Sequence, residues 1–191
     1  MRRYVFASIR MALVTMVVLG IAYPLAVTGL AQLAMPAQAN GSLVISGGTV
    51  VGSSLIGQTF TEQKYFHGRP SAAGADGYDP GASAASNIAP TSKALVDSVR
   101  ARVATAVAEN QGLRAGTVPV DMVTASGSGL DPDITLANAY AQVARVAAAR
   151  GVTESAVRGI VDSVAQGRQF GVLGEPRVNV LRLNIALDAR S

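Results

Sequence analysis

The chain has 191 residues, 49% of them hydrophobic, with 16 basic and 12 acidic side chains, one histidine and no cysteine. The lack of cysteine excludes disulfides, iron–sulfur clusters and cysteine-based zinc sites. Arg2, Arg3 and Arg10 crowd the N-terminal end, and from Gln38 onwards 13 basic residues face 12 acidic ones. The basic balance is therefore no nucleic-acid surface, which would cluster Lys and Arg on one face with aromatics for stacking.

The first element is Ala12–Leu33, 22 residues without a charge. As a helix it spans about 33 Å, enough for the ~30 Å hydrocarbon core of a bilayer, and it satisfies its own backbone there. We read a single transmembrane helix over 12–33, preceded by a cytoplasmic arm at 1–11. Lys and Arg beside a span stay on the cytoplasmic side. The three arginines thus predict a cytoplasmic N-terminus and, for an inner-membrane protein, a periplasmic C-terminal domain. Ala37-Gln38-Ala39 has the small-x-small form of a signal cleavage site, but the apolar run exceeds the ~7–15 residues of a signal core. A retained anchor is the reading. Pro24 lacks a backbone donor and predicts a kink, or a freed carbonyl near Gly20. Gly20, Ala22, Ala26 and Gly29 permit close approach of a neighbouring helix, and Thr28 offers it a hydroxyl.

Residues 34–42 form a connector. Leu43–Val51 predicts two short β runs about a Gly47-Gly48 turn. Phe60, Tyr65 and Phe66 are expected in the core or at its edge. Residues 67–90 contain almost no large aliphatics and predict a long surface loop. A helix follows over Thr91–Gln111, capped by Thr91 or Ser92 and ended by Gly112, with Leu95, Val99, Val103 and Val107 on one face. Thr117–Thr124 reads as a strand. Asp131-Pro132 reads as the N-cap and first residue of a second helix, which runs through Ala149 and closes at Gly151. Thr153 caps a third helix with Val157, Ile160, Val161 and Val164 inward and Gly167 at its end. Val178–Leu187 reads as a short strand running into a helix. The fold class is a single transmembrane helix followed by one α+β extracytoplasmic domain, residues 43–191.

Among motifs, the run Ala125-Ser126-Gly127-Ser128-Gly129-Leu130-Asp131-Pro132 stands out. Its glycines and free amides before a helix would suit an anion, whereas Asp131 would repel one and suits a strand-to-helix connection. It is neither a Walker A loop nor a dinucleotide fingerprint. His67 is the sole histidine. No Gly-x-Ser-x-Gly elbow pairs with it, so it reads as a solvated loop residue. No metal-ligand cluster is visible, and no catalytic residues are assigned. The residues alone describe an accessory or binding subunit on a membrane anchor; the alternative is a free-standing membrane-anchored periplasmic binding domain.

Tyr23-Pro24-Leu25 with Thr28-Gly29-Leu30, Leu55-Ile56-Gly57-Gln58, Tyr65-Phe66, Arg69-Pro70-Ser71-Ala72, Tyr78-Asp79-Pro80 and Thr124–Pro132 follow one another in a specific order, ending with Val178-Asn179-Val180-Leu181 and Asn184. In this order and spacing the chain resembles, over nearly its whole length, the KdpC subunits of the bacterial Kdp potassium-transporting P-type ATPase. The resemblance implies a non-catalytic accessory subunit of a high-affinity potassium importer. Implied partners are a channel-like potassium-translocating subunit, a P-type ATP-hydrolysing subunit and a small single-helix subunit. It also implies assistance to ATP binding by the catalytic subunit, with ATP as a possible ligand and no known contact residues. Helix-packing candidates are then Gly20, Tyr23, Pro24, Thr28 and Gly29. Signature-loop candidates are Thr124, Ser126, Gly127, Ser128, Gly129, Asp131 and Pro132. Asp133 stands where many relatives have His.

Overall fold

A computed structural model describes residues 1–190. A continuous helix runs over Arg2–Ala34 and is the one described helix long and apolar enough to cross a membrane. At ~1.5 Å per residue its 33 residues reach about 50 Å, so the helix also takes in the N-terminal arm. It has three parts: α1 (Arg2–Val17), a π-helical turn (Val18–Ala22) and α2 (Tyr23–Ala34). The wide turn lies directly before Pro24, where a proline ring collides with a regular preceding turn. There the Tyr23 amide donates to the Val18 carbonyl, five residues back. Proline thus produces a widened turn. A four-residue helix, α3 (Pro36–Ala39), occupies the connector.

The chain divides into two compact units, Met1–Leu43 and Val44 onwards. β1 (Leu43–Ser46) and β2 (Thr49–Ser53) form a two-stranded sheet. Gly47 and Gly48 both have positive φ, as a two-residue type I′ hairpin turn requires.

The second unit is built on two strand–helix joints. β3 (Asp133–Thr135) leads straight into α6 (Leu136–Arg150), and β4 (Arg177–Asn179) leads straight into α8 (Val180–Asp188). The strands pair antiparallel, with Asp133 opposite Asn179, Ile134 opposite Val178 and Thr135 opposite Arg177. In each joint the last strand residue is the N-cap of the helix. The Thr135 side chain accepts from the Asn138 amide, and the Asn179 side chain accepts from the Arg182 amide. α7 (Glu154–Val164), capped by Thr153, packs on both helices. Its Val157, Ile160 and Val161 meet Val143 and Val146 of α6, Leu183 and Leu187 of α8, Ile134, Val178 and Phe66 in one core. Full burial of each large apolar side chain contributes about 1.5–3 kcal/mol. α4 (Lys93–Glu109) lies at the margin: Leu95, Val99, Val103 and Val107 are half-buried, and Ala106 is its buried residue. Ser92 occupies the N-cap position without a side-chain cap bond.

The chain differs from the sequence reading in three elements. Thr117–Thr124 is no strand: a 3₁₀ turn at Ala115–Thr117 leads into a single helical turn, α5 (Val120–Val123). Val120 is exposed while Asp121 and Val123 are buried. Tertiary demand overrides β propensity because Asp121 is needed inward, as shown below. Asp131-Pro132 does not begin a helix; pairing with β4 draws Asp133–Thr135 into a strand and passes the cap to Thr135. α7 ends at Val164, ahead of Gly167, because Gln166 turns into a bridge with Arg177.

Candidate functional site

Residues 67–90 read as a long surface loop, yet Ala73 is fully buried and the stretch 69–84 is fastened to the glycine-rich run at 124–132. The fastening starts at Arg69. Its guanidinium donates to Asp131 Oδ2 at 2.9 Å and to the Ala125 carbonyl at 3.3 Å. Asp131 Oδ1 accepts from the Asp133 amide at 3.0 Å, a local turn that occupies the carboxylate expected to cap a helix. Ser71 Oγ donates to the Gly129 carbonyl at 2.6 Å and accepts from the amides of Ala73 and Tyr78. The Tyr78 hydroxyl donates to the Arg69 carbonyl at 2.6 Å. Burial, reinforced by the Asp131 charge and opposed by Arg69, pushes the phenol up to about 12. The Ser128 carbonyl accepts from the Ala84 amide and from Ser83 Oγ.

Two glycines make this lock possible. Gly129 has φ +69°, and a Cβ there would lie 2.7 Å from the Ala84 carbonyl oxygen and 2.8 Å from the Ala73 nitrogen. A Cβ on Gly57 would lie 2.3 Å from the Tyr78 ring and 2.6 Å from the Asp131 carbonyl oxygen. Gly127, by contrast, has open space around it. Thr124 Oγ1 bonds back to the Val120 carbonyl, Ser126 is buried, and Gly127 and Ser128 are exposed at the apex. Of the signature candidates, Gly129 and Asp131 thus hold the fold through their contacts, and Pro132 lends its carbonyl to the Val180 amide.

A second polar assembly underlies the first. Asn138, Gln142 and Arg145 stand at i, i+4 and i+7 on α6 and are all at least 95% buried. The Asp121 carboxylate receives the Thr135 amide, the Thr135 hydroxyl and the Asn138 side-chain amide. It thereby places a negative charge at the N-terminus of α6, where the helix dipole favours it. Asn138 Oδ1 accepts from Gln142 Nε2, which also donates to the His67 carbonyl, while Gln142 Oε1 accepts from the His67 amide and from Arg145. The Arg145 guanidinium further donates to Asn110 Oδ1 and to the carbonyls of Gln63 and Tyr65. Asn184 clasps both backbone groups of Phe66. Segment 63–67 is therefore sewn to the core by side chains. None of Asn138, Gln142 or Arg145 is singled out by the sequence reading, whereas Asn184 belongs to the run that carries the family resemblance. The signal that could have found those three is a polar stripe at helical spacing beside the apolar one.

His67 is half-buried rather than solvated. Its Nε2 lies 3.2 Å from the Glu62 carbonyl and its Nδ1 3.8 Å from Glu109. Burial, with the Arg145 charge, lowers its pKa. It lines both a cleft of about 300 Å³ with Phe60, Arg69, Asp76 and Tyr78, and one of about 210 Å³ with Arg102, Glu109 and Gln142. Among the described residues, no group of three His, Asp or Glu side chains is arranged to hold a metal ion.

The glycine-rich run does not fit a phosphate. No helix starts at Pro132, Arg69 is engaged with Asp131, and the carbonyls of Ser128 and Gly129 are turned to the opposing loop. The helix candidates Gly20, Tyr23, Pro24, Thr28 and Gly29 are all exposed on the isolated chain, and a Cβ on Gly29 would meet nothing within 4 Å.

These features define a class: an α+β domain with internally locked loops, joined to one helix fit to cross a membrane. Residues 5–189 match the family model described as KdpC, K+-transporting ATPase, c chain. A Gemmatimonas aurantiaca protein called potassium-transporting ATPase KdpC subunit is 59% identical over 172 residues, 90% of this chain and 85% of the relative. The Rhodospirillum rubrum protein of the same description is 57% identical over 90% of this chain and 88% of its own. That of Caulobacter vibrioides is 55% identical over 96% and 94%. The chain belongs to the KdpC family of potassium-transporting ATPase subunits.

Proposed function

We propose that this chain is a non-catalytic accessory subunit that stabilises a potassium-importing ATPase, held by its N-terminal helix in the inner membrane with the domain on the periplasmic side. The observation that carries this reading is the fate of the family signature. Its functional groups, Asp131 above all, are spent on locking one loop to another, which leaves a preformed surface and no reacting constellation. Preformed surfaces dock with little ordering cost. The partners are the channel-like translocating subunit, the P-type ATP-hydrolysing subunit and the small single-helix subunit, with Gly20, Tyr23, Pro24, Thr28 and Gly29 as the packing face of the helix.

The orientation rests on Arg2, Arg3 and Arg10 before the apolar run and no charge after it until Glu62. With ATP in the cytoplasm, help to ATP binding by the catalytic subunit is exerted through docking and not through contact of this domain with the nucleotide. The poor fit of the glycine-rich run to phosphate supports that division of labour. Two measurements test the reading. Solubilised, tagged chain should co-purify with the P-type subunit, and its deletion should abolish growth at limiting potassium. A chain that captures no ATPase partner refutes it in favour of a free-standing binding domain. Single cysteines at Ser8 and Ser128 test the orientation: labelling of Ser8→Cys from the periplasm would invert it.

A further inference from the structure

The β1–β2 hairpin is well fastened at its base and uncovered on one face. Gln58 Nε2 donates to the Val51 carbonyl, Asn179 Nδ2 donates to the Ser54 carbonyl, and Gly52 abuts Gln58 and Leu181. Leu43 and Ile45 alternate on one side of β1, and a two-residue turn sets Val50 across from Ile45 on that same side. These three side chains are 56%, 67% and 59% exposed. Leu55, just past the hairpin, is 62% exposed. Such a face in water is a standing liability unless something covers it.

Its place in the chain identifies the cover. Every charged side chain lies in residues 1–10 or from Glu62 onwards, so the charge-free run that supplies the membrane helix does not stop at Ala34 but continues through the whole hairpin. The rest of the domain carries both signs of charge, as a water-facing surface does. Only eight residues, 35–42, separate the helix end from β1, and four of them are wound into α3. At no more than ~3.6 Å per residue, that connector lets β1 lie at most about 29 Å from the helix end. A protein docking patch is apolar at its centre and polar and charged at its rim, whereas residues 35–61, the hairpin and its flanks, supply no charge of their own to this face. Interfacial membrane binding scales with the apolar area sunk into the headgroup boundary, which an apolar face of this kind supplies.

We propose that the Leu43/Ile45/Val50 face of the hairpin rests on the lipid surface, a second membrane contact that fixes how the domain stands above the bilayer. The proposal depends on the helix being membrane-embedded, so the test includes that helix. The full chain, free of native cysteine, is reconstituted in phospholipid vesicles with a nitroxide at Ile45→Cys, Val50→Cys, Leu19→Cys or Ser128→Cys. Accessibility is compared for molecular oxygen, which concentrates in lipid, and a nickel chelate, which stays in water.

Labels at residues 45 and 50 should resemble the label at 19, with several-fold more oxygen than nickel access relative to the label at 128. Water-like values at 45 and 50 with lipid-like values at 19 overturn the proposal and leave the anchor intact. Water-like values at 19 as well overturn both. Shielding from both reagents at 45 and 50 overturns the lipid contact in favour of a protein cover. Two label sites, each checked for native circular dichroism, guard against a misfolded single variant.

Discussion

Replacing Gly129 with alanine tests whether the family signature is a structural lock. The new Cβ meets backbone on two sides, the Ala84 carbonyl oxygen at 2.7 Å and the Ala73 nitrogen at 2.8 Å. No side-chain rotation relieves those contacts, so the two loops must part. Parting weakens the Ser71 bond to the Gly129 carbonyl and the Ala84 and Ser83 bonds to the Ser128 carbonyl. Each such bond contributes about 0.5–1.5 kcal/mol, and a non-glycine residue at positive φ costs about 1–2 kcal/mol, giving roughly 3–6 kcal/mol. For a domain of this size that lowers Tm by roughly 10 °C or more. Thermal unfolding of the full chain in detergent, followed by near-ultraviolet circular dichroism of its tyrosines, reads the change. Gly127→Ala, two residues away with nothing within 4 Å, is the matched control and should stay within about 0.5 kcal/mol of the parent. Equal Tm values for Gly129→Ala and Gly127→Ala would refute the locking role.

Other expectations concern the buried polar chain, pH and the helix. Arg145→Met fills a similar volume but strands the acceptors of Asn110, Gln142, Gln63 and Tyr65, and should cost about 3 kcal/mol or more in a urea titration. Arg145→Lys should not restore it, since one ammonium cannot serve that planar set. His67 has a folded pKa below its ordinary 6.5, so the unfolded chain takes up its proton first. Stability from this group is present above about pH 6.5 and lost as pH falls through the lower folded value; His67→Gln should flatten that stretch of the stability–pH curve. A Cβ at Gly29 meets nothing within 4 Å, so Gly29→Leu should leave membrane insertion unchanged while reducing recovery of the assembled complex in pull-downs.

The elements legible in the sequence are those whose signals are local. α7 and α8 announced themselves by apolar spacing, and the end of α6 at Gly151 and the start of α7 at Thr153 by their end chemistry. The Gly47-Gly48 turn was equally plain. Residues 117–135 were not legible, because distant partners decide their conformation. Asp121 turns inward for the N-terminus of α6, fourteen or more residues on, and Asp131 is claimed by Arg69, sixty-two residues back. The signature loop was recognised through its resemblance to a family. Its role was hidden, because Gly57, Ser71 and Tyr78, which explain its glycines, lie in a segment read as open surface. The buried polar stripe of Asn138, Gln142 and Arg145 has a helical spacing in the sequence, but its inward direction depends on Asp121, Asn110 and segment 63–67, which are distant along the chain.

The π-helical turn at Val18–Ala22 sets the angular phase of the membrane helix. In an unbroken α-helix Gly20 and Gly29, nine residues apart, would point about 180° apart at about 100° per residue. One extra residue accommodated in the wide turn shifts α2 against α1 by about 100°, and because Gly20 lies within the turn, part of that rotation falls between the two glycines. Pro24 then does more than interrupt a helix: it keeps the arginine-bearing half and the glycine-bearing half in a fixed rotational offset. Removing a single residue from the turn would preserve hydrophobic length almost unchanged yet rotate one half against the other, misaligning whatever both halves grip together.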